Sequence, residues 1–303
     1  IYLMNKFEVP QPNINMMRGS LVNTMLDLVL ENSELDNDAL FTNALRDNID
    51  SAYPYSSSEL KEVRAEIERD HLPQLRNFQK EVNNKNVSTE PTYFSALYGI
   101  QGRIDVLSES PDSPQHKEIF ELKSSKPPYS GVYNGHKIQT IAYHLLLRST
   151  YGKQREGRTS LFYSKAPHGN IRAVPTEADL EKQLFRIRNG IIQLLFLIAD
   201  DPANLDAIIT FIHAKYRDSF QFSNIEKFTS LYTSLKNSSP IASHYFKTFA
   251  SAVLSELRVQ KIGTTAYSED KRSGFSALWN LSIDEKQSAF SILLPLTFVR
   301  YDQ

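Results

Sequence analysis

Two apolar runs, Ile104-Asp-Val-Leu107 and Ile119-Phe-Glu-Leu122, each set one carboxylate among residues that belong in a core. A carboxylate in such surroundings is costly unless something pairs with it. Each acid therefore needs a partner, and if the two runs are neighbours one cation could serve both. Short apolar runs of this kind read as strands. Around them the texture alternates. Tyr93–Tyr98 and Arg103–Ser108 read as strands about a Gly99–Gly102 turn, Ser110–His116 as a polar loop, and Glu118–Lys123 as a third strand. After a Lys126–Gly135 loop come a helix over His136–Ser149, with Ile138, Ile141, Ala142, Leu145 and Leu146 as its apolar face, and strands over Thr159–Ser164 and Asn170–Val174. Helical periodicity fills residues 14–31, 35–48 and about 57–82 upstream, and 176–199, 202–216, 224–236 and 240–258 downstream. Residues 274–301 regain strand character, ending in Ala289–Tyr301. The pattern predicts an α/β chain with a central mixed sheet between helical regions. It divides into an N-terminal helical part (1–90), an α/β core (91–200) and a C-terminal helical region (201–303).

Composition narrows the chemistry. With 303 residues and 41% hydrophobic content, the chain can bury a sizeable core. It has no cysteine, which excludes thiolate nucleophiles, disulfides and cysteine-ligated metal centres within these residues. No apolar run approaches the roughly 20 residues needed to span a bilayer, and no signal peptide is visible. A cytoplasmic or otherwise intracellular protein without a membrane partner is expected. The net charge of -1 is unevenly spread. From Asp27 to Asp70 there are 12 acids and 4 Lys/Arg, a balance of -8; from Lys117 to Lys165 there are 9 Lys/Arg and 3 acids, a balance of +6. A polyanion would be drawn to the second stretch.

Hydrolysis of a phosphodiester needs a hard cation to offset charge on the attacking and leaving oxygens, and such cations prefer carboxylate ligands. Because side chains alternate along a strand, Glu121 and Lys123 share one face and Leu122 points to the other, into the core. If the strands are neighbours, Asp105, Glu121 and the Lys123 ammonium converge on one metal and its water, and the Leu122 carbonyl adds an oxygen. Gln139 and Tyr143, four residues apart, share a helix face opposite the Ile138, Ile141 and Leu145 stripe, and His136 joins that polar face. An isolated E-x-K has no value as a signal. An Asp followed 16 residues later by one, each inside an apolar strand, is more specific.

The set Gly99-x-x-Gly102-x-x-Asp105, Glu121-x-Lys123 and Gln139-x-x-x-Tyr143 resembles the RecB-like branch of the PD-(D/E)XK nucleases. Within it, Tyr98–Val106, Phe120–Lys123, His136–Leu147 and Arg186–Gly190 are most similar to the nuclease module of DNA-replication helicase–nucleases. The resemblance implies a restriction-endonuclease-like core and Mg²⁺- or Mn²⁺-dependent cleavage of single-stranded or flap DNA. It implies metal ligation by Asp105, Glu121 and the Leu122 carbonyl, a catalytic role for Lys123, and catalytic or DNA-positioning roles for Gln139 and Tyr143. Lys126, His136 and Lys137 are candidate DNA contacts, as is Arg148. Tyr129 and Tyr133 are candidate base-stacking groups; Trp279 and most other aromatics read as core.

The chain departs from the family in two places. Many relatives carry a metal-binding His on an early helix; the matching place here holds Asn23, a neutral and weaker oxygen donor, which reads as a ligand, a neighbour of the ligands or an ordinary helix residue. His71, among Glu68, Arg69 and Asp70, reads as a surface histidine. Eukaryotic relatives also brace the module with a four-cysteine iron–sulfur cluster, which this chain cannot ligate. No G-x-x-x-x-G-K-[ST] loop is present; the non-Met start and the end at Gln303 lead to the expectation of a longer parent chain, with a helicase motor beyond Gln303. Two further readings stand beside an active nuclease: a catalytically inactive DNA-binding scaffold of the same fold, and a recombination-repair exonuclease subunit.

Overall fold

Five strands form one mixed sheet in the computed structural model of the chain, which describes residues 13–152, 157–216, 225–262, 276–277 and 281–289. In chain order the strands are β1 (Asn86–Thr89), β4 (Val106–Ser110), β5 (Ser113–Lys123), β6 (Thr159–Tyr163) and β7 (Ile171–Ala173), and they lie side by side in that order. β5 pairs parallel with β6; the other pairings are antiparallel. The remaining strands, β2 (Thr92–Ser95) and β3 (Ile100–Arg103), form a separate hairpin. Its break comes after Arg103 and not at Gly102, which is a strand residue. The expected loop at Ser110–His116 is mostly β5, which starts at Ser113 and pairs Lys117 with Glu109.

Helices cover both faces. α1 (Ile14–Glu31), α2 (Asn37–Asp47), the short α3 (Ile49–Ala52), α4 (Ser57–Glu66) and α5 (Leu72–Val82) precede the sheet. Their starts are written in side chains: Asn13 accepts from the amides of Asn15 and Met16, Asp36 from Ala39, and Ser56 with Glu59 makes a reciprocal capping box. α4 and α5 are joined by a π turn, Ile67–His71. α1 buries Met17, Leu21, Val22, Met25, Leu26 and Val29 against a core that also holds Phe78, Val106, Phe120, Leu122 and Phe162. Each fully buried side chain of this type contributes about 1.5–3 kcal/mol, so the N-terminal helices and the sheet stabilise each other. Phe78 stacks on Phe162 at 4.7 Å and meets Phe120 edge-on at 5.0 Å.

On the opposite face lies α6 (Asn134–Tyr151), packed through Tyr143, Leu146 and Leu147 on Ile104, Leu107 and Ile119. β5 thus sends Phe120 and Leu122 to the N-terminal helices and Ile119 to α6, as a period of two requires. Tyr143 belongs to this buried set rather than to a solvated polar face.

The molecule forms two compact units, divided at Arg186/Ile187 within α7 (Ala178–Asp200). In the second unit, Ile198, Leu205, Ile209, Ala250 and Leu254 form a core among the end of α7, α8 (Ala203–Tyr216) and α10 (Pro240–Ile262), with α9 (Ile225–Asn237) packed on it. Lys247 pairs with Asp206 at 2.9 Å and Arg258 with Asp200 at 2.7 Å. Most of the strand expected at 274–301, with Trp279, lies outside the described residues; Ile283–Ser288 within it is helical, capped by Ser282 and Glu285. Among the described residues no helix is long and apolar enough to cross a membrane.

Candidate active site

β5 ends at Lys123, and its last residues build one wall of a buried polar cluster. Glu121 is 3% exposed despite its charge. Its Oε1 accepts from Lys123 Nζ at 2.8 Å and from Gln139 Nε2 at 2.5 Å. Gln139 Oε1 accepts in turn from Lys123 Nζ at 2.9 Å, and Gln139 Nε2 lies 2.9 Å from the Tyr143 hydroxyl. α6 therefore brings Gln139 and Tyr143 to the two strand residues that alternation directs toward it. Asp105 sits in the break between β3 and β4, just before β4 and not inside a strand. The Leu122 amide donates to its Oδ2 at 2.7 Å. The leucine whose side chain is in the far core thus holds the first carboxylate beside the second through its backbone.

The electrostatics are unbalanced. Burial, followed by the neighbouring Glu121 carboxylate, holds Asp105 well above the usual carboxylate range; the Leu122 amide and Lys123 only partly oppose this. Burial and then Glu121 likewise push the Tyr143 phenol up. Two carboxylates face one ammonium, and Glu121 Oε2 is buried with no hydrogen-bond partner. A buried acceptor left unmet beside a second carboxylate fits a hard divalent cation, which would satisfy that oxygen and neutralise the pair. Among the described residues no group of three His, Cys, Asp or Glu side chains forms a metal cage. Oxygen from Asp105 and Glu121 would have to be completed by a backbone carbonyl and water. Leu122 is the suitable carbonyl, because its N–H and C=O point to the same side of the strand, toward Asp105.

Two nearby features were not evident in the sequence. A Cβ added at Gly102 would lie 2.9 Å from Tyr143 Cε1 and 3.1 Å from Leu146 Cδ1, so only glycine lets β3 pass this close to α6. Glu90 has φ 48°, the one described non-glycine with positive φ, and it precedes Pro91. Such a backbone costs about 1–2 kcal/mol. Its amide donates to the Asp105 carbonyl at 2.9 Å, so the strained residue backs this aspartate. From the sequence Asn83–Pro91 reads as a polar loop, but Asn86–Thr89 within it is the edge strand β1, paired with β4, and Glu90 follows directly after it.

The other predicted site residues are more dispersed. Asn23 donates to Glu90 Oε1 at 2.9 Å, and Glu90 also pairs with Arg103 at 2.9 Å. Nearby Asp27 is raised to about 7 by burial and by Glu90. His136 lies near Lys123: burial and then the ammonium lower its pKa. Lys137 pairs with Glu177 at 3.6 Å and Arg148 with Glu181 at 3.9 Å, while Lys126 is exposed on the loop after β5. His71 is fully buried, not a surface residue. The π turn inserts one extra residue, which rotates His71 inward, and its Nδ1 meets Ser164 Oγ at 2.8 Å.

No protein-family model matches the chain, and no curated protein does. Over 60% of its length the chain is similar to a crystal structure from Eubacterium rectale whose protein is provisionally named an exonuclease, with 15% identity and a TM-score of 0.35. The match spans 66% of that chain, just under two thirds of its length. So faint a likeness carries no functional argument, and the chemistry must be read from the side chains themselves.

Proposed function

We propose that the chain is a metal-dependent nuclease that hydrolyses phosphodiester bonds in DNA at the Asp105–Glu121–Lys123 cluster. One observation supports this above the rest: two buried carboxylates from separate segments are held together beside an ammonium, with one carboxylate oxygen unmet. Asp105, Glu121 and the Leu122 carbonyl would hold Mg²⁺ or Mn²⁺, which supplies the positive charge that a phosphodiester needs as its oxygens gain charge. Lys123 has three N–H groups. Two are taken by Glu121 and Gln139, and the third remains to orient a water or a phosphate oxygen. Gln139 fixes the lysine and the glutamate to α6, so neither must reorganise when substrate arrives. The resemblance of the motifs adds unpaired or flap DNA as substrate and a helicase motor on the same parent chain.

Purified protein is expected to degrade single-stranded oligonucleotides with Mg²⁺ or Mn²⁺ and to stop in EDTA. Asp105→Ala, Glu121→Ala and Lys123→Ala should each lower the rate about 10²–10⁴-fold. Cleavage that persists in EDTA, or survives all three substitutions, disproves the site.

A further inference from the structure

An aromatic path leads from Lys123 to solvent. Tyr163 is the register partner of Lys123 across β5 and β6. Its hydroxyl lies 3.1 Å from His136 Nδ1, with the ring centroids 5.9 Å apart. The His136 ring meets Tyr133 edge-to-face at 5.4 Å and 81°. Tyr133 is half-exposed, and Tyr129, in the same loop, is fully exposed. This loop is held in place. Arg172 on β7 donates to the Pro128 carbonyl at 2.9 Å and to that of Gly131, two consecutive prolines restrict it, and Val132 packs on the cluster of Leu161, Tyr163, Ala166 and Val174. A tyrosine carried on an ordered loop has little entropy left to lose when a flat partner covers it.

Resting on the nuclease reading, we propose that Tyr129 and Tyr133 form a stacking ledge for unpaired bases of a single-stranded nucleic acid whose backbone enters the cluster at Lys123. Every base has a π-face, so such a ledge is tolerant of sequence. A base within a duplex has both faces occupied by its neighbours, so the ledge selects single strands. Exposed Lys126, at the head of the same loop, adds attraction for the phosphates without reading sequence.

The test is fluorescence anisotropy in EDTA, with the full chain and labelled oligonucleotides of equal length, one of thymidines and one of abasic sites. The wild type should bind the base-bearing strand about 25-fold more tightly. Tyr129→Ala and Tyr133→Ala should each erode that preference roughly fivefold, the double substitution should abolish it, and Tyr→Trp at either position should keep it. Tyr53→Ala, which removes another exposed tyrosine just after α3, should leave the preference unchanged. A wild type without base preference, or alanine variants that weaken both strands equally, overturns the ledge. Because binding is read without turnover, absence of cleavage in Mn²⁺ would refute the nuclease reading alone, and loss of base preference in a cleaving enzyme would refute the ledge alone.

Discussion

Two polar clusters flank the ends of β5 and β6, and they differ in one respect that matters. On the side of the N-terminal helices, Arg18 pairs with Glu66 at 2.8 Å, Lys165 bonds the same glutamate, and Asp70 lies 3.9 Å from Lys165. Arg69 holds Asp70 at 2.8 Å, so three cations meet two carboxylates there; the buried polar atoms left unmet in this cluster, Arg18 Nε and His71 Nε2, are both nitrogens, and His71 stays neutral. On the α6 side, Asp105 and Glu121 share a single lysine, and a buried oxygen is left over. Both clusters are dense in charge; only the second lacks a positive charge. Charge density is common to both clusters; the shortage of positive charge beside buried carboxylates is what sets the candidate site apart.

The sharpest way to break this contrast is to neutralise one glutamate in each cluster. Glu121→Gln should cost about 10²–10⁴-fold in cleavage rate with little loss of stability, because it removes part of the unbalanced charge. Glu66→Gln should leave the rate unchanged but destabilise the fold by about 1–3 kcal/mol, since it strands Arg18 and Lys165. Denaturant melts beside initial rates separate the two; equal effects on both measures would erase the distinction. Next in size, Gly102→Ala should cost about 1–3 kcal/mol by driving a methyl into Tyr143 and Leu146. The same change should slow cleavage, because Gln139 shares the displaced turn of α6. A variant with wild-type stability and rate would show that α6 can yield there.

In their response to pH the two clusters should slope in opposite directions. Burial, and then Lys165 and Arg18, lower His71 from 6.5 to about 4, against Glu66 and Asp70, which raise it. The folded protein thus holds His71 neutral; that contribution is complete above 6.5 and is lost as pH falls toward 4. Asp105 is raised, so the metal-free protein binds its proton more tightly folded than unfolded and should lose stability as pH climbs above the ordinary carboxylate range. Thermal melts across this range should show both limbs. Mn²⁺ should restore the alkaline limb only, and His71→Gln should flatten the acid limb.

Much of the candidate site's geometry was legible because strand alternation is rigid. Glu121 and Lys123 had to share a face, Leu122 had to enter the core, and a carboxylate 16 residues earlier had to be answered. The residues that escaped were those whose placement depends on tertiary contacts. Tyr143 is amphipathic, so helical spacing alone could not say that its ring is buried while its hydroxyl reaches Gln139. His71 was masked by charged neighbours, and the π turn altered the register by which faces were counted. β5 extended into Ser113–Lys117 because its pairing with β4 outweighed a polar, proline-containing sequence. Glu90 gave no hint of its backbone strain.

The tether from the Leu122 amide to Asp105 has a consequence for substitution at position 122. What the site requires there is an N–H group, while the far core asks only for apolar volume. Isoleucine, valine or methionine should be tolerated with modest repacking. Proline, which alone lacks that hydrogen, would release the aspartate from its anchor and disarm the site while every acidic and basic side chain remained present.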